Sequence, residues 1–246
     1  MKRAPLVMLL LLLVPMLASC VGNRVKVDKP RVAELNTRLG LEYLGQGRLD
    51  LARIKLARAL EAEPHSASVN WANALLYEKL GETEKAESFF RKALRADPDS
   101  SEAHNNFGAF LCEQERFKEG VKHFEKAAAN PLYPTPEYAL ANAGLCLLDA
   151  GDEARAEAFF RKALERNPNY ARALYQMALL TYNQKRYLSS RAYRERLEAV
   201  LKKKDPRVLW LCVVTERAMN NYDDADRCEK VLKTAFPDSK EASSLY

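Results

Sequence analysis

Three histidines, five cysteines and a basic stretch near the C-terminus are the residues of this 246-residue chain whose types suit chemistry. A catalytic or metal site needs several such groups to converge. His65 stands beside Pro64, in a segment that reads as a loop. His104 and His123 fall at the two ends of one predicted helical hairpin, where they can approach each other. No carboxylate or thiol stands at ligand spacing to complete a metal site around them. The nucleophile elbow, the zinc-protease helix, the phosphate-binding loop and the dinucleotide fingerprint are all missing from the sequence. The chain therefore reads as a non-enzyme with no metal and no cofactor. Cys112, Cys146, Cys212 and Cys228 show no metal or redox spacing. In the helical frame below, Cys112 and Cys146 fall where small apolar residues pack, so buried free thiols are expected. A Cys212–Cys228 bridge within the last hairpin is possible but unforced. The basic stretch Arg191, Arg194, Arg196, Lys202, Lys203, Lys204 and Arg207 is interleaved with Glu195, Glu198 and Asp205. It reads as a solvated face, and nucleic acid and small-molecule substrates are not expected partners.

Cys20 is different, because its setting prescribes a modification. Met1-Lys2-Arg3 precedes an apolar run from Leu6 to Leu17, then Leu17-Ala18-Ser19-Cys20. A basic start, about a dozen apolar residues and a small-residue cleavage site make a secretory signal, too short to span a bilayer. The cysteine directly after Leu-Ala-Ser resembles the bacterial lipobox. That resemblance implies cleavage of residues 1–19 and acylation of Cys20. Several acyl chains anchor stably where one would be marginal. Val21, not Asp, follows the cysteine, which under the sorting rule of such signals implies outer-membrane delivery. Cleavage lowers the net charge from +6 to +4, since Lys2 and Arg3 leave. Residues 20–30 carry no helical pattern and read as a tether able to reach roughly 35 Å.

The elements that must position all of this come from a repeat. Leu60-Glu61-Ala62-Glu63-Pro64, Leu94-Arg95-Ala96-Asp97-Pro98 and Leu164-Glu165-Arg166-Asn167-Pro168 echo one another. The first two prolines stand 34 residues apart, and the third lies two such periods plus two residues further on. That period, with small and large residues alternating in fixed order, resembles the tetratricopeptide repeat (TPR). Gly40, Ala74, Gly108 and Gly144 sit where two helices come closest. Ala52, Ala86, Gly120 and Ala156 face them, and Leu56, Phe90, Phe124 and Phe160 fill the gap one turn on. Gly47, Gly81 and Gly151 end first helices. The expected fold is all-α, a right-handed superhelix of about six helical hairpins over residues 31–246. The repeats fall near 33–66, 67–100, 101–134, 137–170, 171–204 and 206–239. The last two are degraded, with Ser190 and Arg194 in repeat five where the first four carry a small and a large apolar residue. Pro131-Leu132-Tyr133-Pro134-Thr135-Pro136 cannot be helical and reads as an extended joint.

In the family that this period resembles, first helices line a concave face. Those positions here are Thr37, Leu41 and Leu44, then Trp71, Leu75 and Glu78, then Asn105, Ala109 and Cys112, and in repeat five Tyr175, Leu179 and Tyr182. An apolar strip with a tryptophan suits a protein partner, because binding hot spots favour Trp and Tyr. Thr37, Leu41, Leu44, Trp71, Leu75 and Glu78 are the expected partner-binding residues. Trp71 could instead be spent on packing against the next hairpin. Asn106 and Asn142 take polar groove positions.

The lipobox, the short tether, the six repeats, Asn105-Asn106-Phe107-Gly108-Ala109-Phe110-Leu111-Cys112 and the Tyr-Pro-Thr-Pro joint together resemble the type IV pilus biogenesis lipoproteins of the PilF/PilW family. The resemblance implies a pilotin. Such a protein binds secretin subunits and promotes their outer-membrane localisation and multimerisation, on which twitching motility depends. A TPR scaffold lipoprotein for another envelope complex, serving outer-membrane protein assembly or peptidoglycan enzymes, would share anchor and repeats.

Overall fold

The computed structural model describes residues 28–245. The expected signal segment, Cys20 and most of the tether lie outside them. Thirteen helices and no strand make up the described residues. Twelve form six hairpins: α1 (Lys29–Gly45) with α2 (Leu49–Ala62), α3 (Ala67–Lys79) with α4 (Thr83–Ala96), α5 (Ser101–Glu113) with α6 (Phe117–Ala129), α7 (Pro136–Asp149) with α8 (Glu153–Arg166), α9 (Ala171–Asn183) with α10 (Tyr187–Val200) and α11 (Pro206–Ala218) with α12 (Tyr222–Ala235). A short α13 (Lys240–Ser243) packs on α11 and α12 and closes the end of the stack. Helix α1 begins earlier than the repeat frame, because Asp28 caps it and Pro30 fits its first turn.

The six hairpins form an all-α repeat superhelix, and small residues set its spacing. A Cβ on Gly108 would lie 2.9 Å from the Gly120 carbonyl oxygen, and one on Gly120 would lie 2.7 Å from that of Gly108. The two glycines therefore let α5 and α6 touch backbone to backbone. Leu56, Phe90, Phe124 and Phe160 are fully buried beside the equivalent positions, as the repeat order requires. The turn inside each hairpin carries one residue in the left-handed region. It is glycine at Gly47, Gly81 and Gly151, but Glu115, Lys185 and Asn220 adopt the same geometry. Between hairpins, Arg116 reaches Glu87, and 70 residues on Arg186 reaches Glu157 in the same way. Residues 130–135 are non-helical, as the prolines dictate, and Asn130 ties this joint back to Ser101 and to the Asp99 carbonyl.

Two expectations need correction. The four cysteines are not free thiols: Cys112 pairs with Cys146, and Cys212 with Cys228. The first bridge crosses between α5 and α7 with the Cα atoms 5.7 Å apart, inside the bridging range. The two cysteines stand 34 residues apart, one repeat period, on the first helices of adjacent hairpins. The second correction concerns the basic stretch, which is not a uniform solvated face. Arg194 is buried, and with Arg191 it clasps Glu216 of the next hairpin.

Candidate partner-binding groove

The expected groove residues lie on the first helices of hairpins one and two. Leu41, Leu44, Trp71, Leu75 and Glu78 are all half-buried, and Thr37 is buried. One edge of the strip is used in stacking. Leu41 and Leu44 pack on Ala52, Leu56, Ala72 and Leu76, and Trp71 and Leu75 on the cluster around Phe90 and Phe107. The other edge opens into a cleft of about 450 Å³ between α1 and α3. Thr37, Leu41 and Trp71 line it together with Pro30, Val69 and Arg38. Leu44, Leu75 and Glu78 do not line this cleft; they continue the strip towards the hairpin turns. Trp71 thus both packs on its neighbour and walls the cleft.

The side chains of two of these wall residues carry a polar atom without a partner among the described residues. The Thr37 hydroxyl oxygen and the Trp71 indole nitrogen are buried and make no hydrogen bond. Burying such a group unpaired costs about 1–3 kcal/mol, so each orphan calls for an explanation. The indole N–H can only donate and so needs an acceptor, whereas the hydroxyl can donate or accept.

Further along the first helices the surface turns polar. Asn142 donates to Asn105 at 3.0 Å, and Arg172 donates to the other end of Asn142 at 3.1 Å. This ladder joins α5, α7 and α9. Asn105 and Asn142 belong to it as groove residues, whereas Asn106 folds back onto the Glu102 carbonyl of its own helix. Arg172 was not foreseen in the groove; its place at the second position of repeat five was the only signal. Beyond it, Arg207 lies over the Tyr175 ring at 5.2 Å, at the edge of a second cleft. Tyr182 packs against Tyr187 and Trp210 instead.

Electrostatics set two groups apart. Burial, and secondarily the Glu113 carboxylate, push the Glu78 carboxyl up to about 7, against the opposing charge of Lys79. His104 and His123 do meet, Nδ1 to Nδ1 at 2.7 Å, and His104 Nε2 lies 2.9 Å from the Pro98 carbonyl. That carbonyl only accepts, so His104 Nε2 carries a proton. In the neutral pair His104 Nδ1 then accepts from His123 Nδ1–H. A second added proton would set two N–H groups against each other. Burial first, then the charge of its neighbour His104 and of Lys126 and Arg91, bring His123 down to about 4. No set of three or more His, Cys, Asp or Glu placed to hold a metal occurs among the described residues.

Comparison with known proteins agrees with the repeat fold. A family model for the tetratricopeptide repeat matches residues 37–101 and 111–171. The type IV pilus assembly protein PilF of Pseudomonas aeruginosa is 33% identical over 239 residues, which cover 95% of this chain and 94% of that one. The solved structure of P. aeruginosa PilF superimposes with a TM-score of 0.77 at 29% identity, covering 88% of this chain and 97% of PilF. That of PilW, described as a widely conserved type IV pilus biogenesis factor, gives the same TM-score and identity, covering 87% and 98%. YrrB, a TPR protein with an unusual peptide-binding site, shares the fold at a TM-score of 0.59 and 20% identity, over 77% of this chain and 96% of its own. Identity of one residue in three along nearly the whole of both chains, on one shared superhelix, makes this chain a member of the tetratricopeptide-repeat family of type IV pilus biogenesis proteins.

Proposed function

We propose that this protein is an outer-membrane pilotin lipoprotein, anchored by acyl chains on Cys20 with its repeats facing the periplasm. It binds subunits of the type IV pilus secretin and promotes their delivery to the outer membrane and their assembly into a ring. The acyl chains give the membrane address and the cleft between α1 and α3 the partner site. The observation that carries this reading is the full-length relationship to PilF, a type IV pilus assembly protein. The cleft walled by Thr37, Leu41 and Trp71, with two polar atoms left unpaired, supports its placement on the first two hairpins. No catalytic step is involved; the work is recognition.

The deciding experiment replaces Cys20 by Ala and follows secretin multimers in fractionated membranes, beside a strain lacking the protein. Loss of multimers from the outer membrane, or their appearance in the inner one, is the expected result. Normal multimers in both strains would make the protein a scaffold for a different envelope client. Leu41→Asp, with melting followed in parallel, then tests the cleft: secretin binding should fall by at least about tenfold for loss of one well-packed apolar anchor.

A further inference from the structure

The structure divides the basic stretch between two tasks. Its arginines are spent inside the chain. Arg191 and Arg194 hold Glu216, Arg196 donates to the Pro168 carbonyl, and Arg207 pairs with Asp205. Its three lysines are not: Lys202, Lys203 and Lys204 are exposed on the loop between α10 and α11 and form no ion pair among the described residues. Lys202 stands where three of the earlier repeats close with proline, Pro64, Pro98 and Pro168.

The lysines rim a cleft of about 430 Å³ between α10, α11 and α12. Its floor is apolar, built from Leu201, Val208, Leu209 and Val231. Two carboxylates also line it, but each is already neutralised, Glu198 by Arg194 at 2.8 Å and Asp205 by Arg207 at 2.7 Å. Arg227, on the same wall, is balanced by Asp224. The net surplus at the rim is therefore the charge of the three lysines. The Cys212–Cys228 bridge fastens α12, one wall of the cleft, to α11.

We propose that this cleft is a second docking site, for an acidic segment of a protein partner that inserts an apolar side chain between flanking aspartates or glutamates. Charge complementarity selects the acidic flanks, and the apolar floor selects the inserted side chain. A cleft of this size suits a short peptide. A membrane surface, being flat, would meet the lysines but leave the floor empty. The site lies on the last two hairpins, away from the α1–α3 cleft, and stands whether or not that cleft binds a secretin.

The test uses the full chain in neutral detergent and the labelled peptide acetyl-Asp-Glu-Leu-Phe-Glu-Asp-amide, read by fluorescence anisotropy. Binding should be saturable and weaken as salt rises, since the rim charges are exposed. The charge reversal Lys202→Glu, Lys203→Glu, Lys204→Glu should weaken it by at least about tenfold, because three exposed contacts are lost together. Val231→Asp should do likewise through the floor. All three lysines are exposed and unpaired, so the triple variant should melt with the parent, which keeps a folding defect from imitating the result. Absence of peptide binding, equal binding by the triple variant, or equally tight binding of glycerophosphoglycerol, the soluble headgroup of an anionic phospholipid, would each overturn the proposal.

Discussion

Arg194 donates to Glu216 at 3.0 Å, with both side chains buried, at the position where the preceding hairpins place Leu56, Phe90, Phe124 and Phe160. The interface between hairpins five and six is thus polar where the others are apolar. Arg191 and Asn221 complete the shell around Glu216, and Ser190 bonds the Ala178 carbonyl and Thr215 beside it. Burial alone would raise the Glu216 carboxyl, but the hydrogen bonds from Arg191 and Asn221 and the charges of both arginines hold it below the usual range. Removing one member strands the others: Glu216→Ala should cost about 3–5 kcal/mol. The paired replacement Arg194→Phe with Glu216→Leu restores the repeat's own apolar order and should melt at or above the parent. Thermal melts of the three proteins check both statements. If the double variant is as unstable as the single, the site has no room for the apolar pair.

The Cys112–Cys146 bridge ties hairpin three to hairpin four across the proline joint. It closes a loop 34 residues long, which removes roughly 3–4 kcal/mol of chain entropy from the unfolded state. Cys112→Ser and Cys146→Ser, singly or together, should each lower stability by about that amount. Chemical reduction should lower the parent further than the double variant, because only the parent still carries this bridge. The Sγ atom of Cys112 also lies where a Gly120 Cβ would go, so Gly120→Ala should disturb the bridge and the α5–α6 contact together.

How far the sequence shows these features depends on whether a residue obeys the repeat. Gly108 facing Gly120, the buried phenylalanines and the six hairpins follow from the 34-residue order alone, because each position recurs in the same environment. The departures are legible only as departures. Arg194 at an apolar position announces a local exception, but nothing in the sequence names Glu216 as its partner. Cys112 and Cys146 stand 34 residues apart, one repeat period, but the spacing alone does not bring their sulfurs within bonding distance. The unpaired atoms of Thr37 and Trp71, and the division of the basic stretch, need side-chain positions. Trp71 is the instructive case: its type and place suggest a groove residue or a packing residue, and in the fold it is both. Trp71→Ala therefore costs stability as well as any binding, and Leu41, packed on Leu56 and Leu76 at one edge, needs the same parallel melt.

The hairpin turns offer a comparison within one chain. Gly81 has φ +72°, and Lys185 holds the equivalent turn at φ +60°. A side chain in this region costs about 1–2 kcal/mol, while glycine gives back part of the gain through extra freedom when unfolded. Lys185→Gly should therefore stabilise by about 0.5–1 kcal/mol, and Gly81→Ala should destabilise by about 1 kcal/mol. Chemical denaturation resolves both signs. Equal and opposite results are not required; a destabilising Lys185→Gly would mean that the lysine makes contacts that outweigh its strained backbone.

Glu78 and His123 put opposite pH slopes on stability. Glu78 is pushed up to about 7, so its proton is favoured in the folded state, and stability falls as pH rises from about 4.5 to 7. His123 is brought down to about 4, so its neutral form is favoured in the folded state, and stability falls as pH drops from about 6.5 to 4. The windows overlap, and across the overlap the two contributions partly offset. Glu78→Gln removes the first and should leave a chain whose stability, relative to the parent, climbs with pH. His123→Gln removes the second and should give the reverse. The differences should reach about 1–3 kcal/mol at the ends of each window, since both groups keep some contact with water. Urea midpoints at pH 4, 5.5 and 7.5 for parent and variants measure them. A Glu78→Gln variant that runs parallel to the parent would mean that the Glu78 carboxyl titrates as in water, and that the far end of the apolar strip is wet.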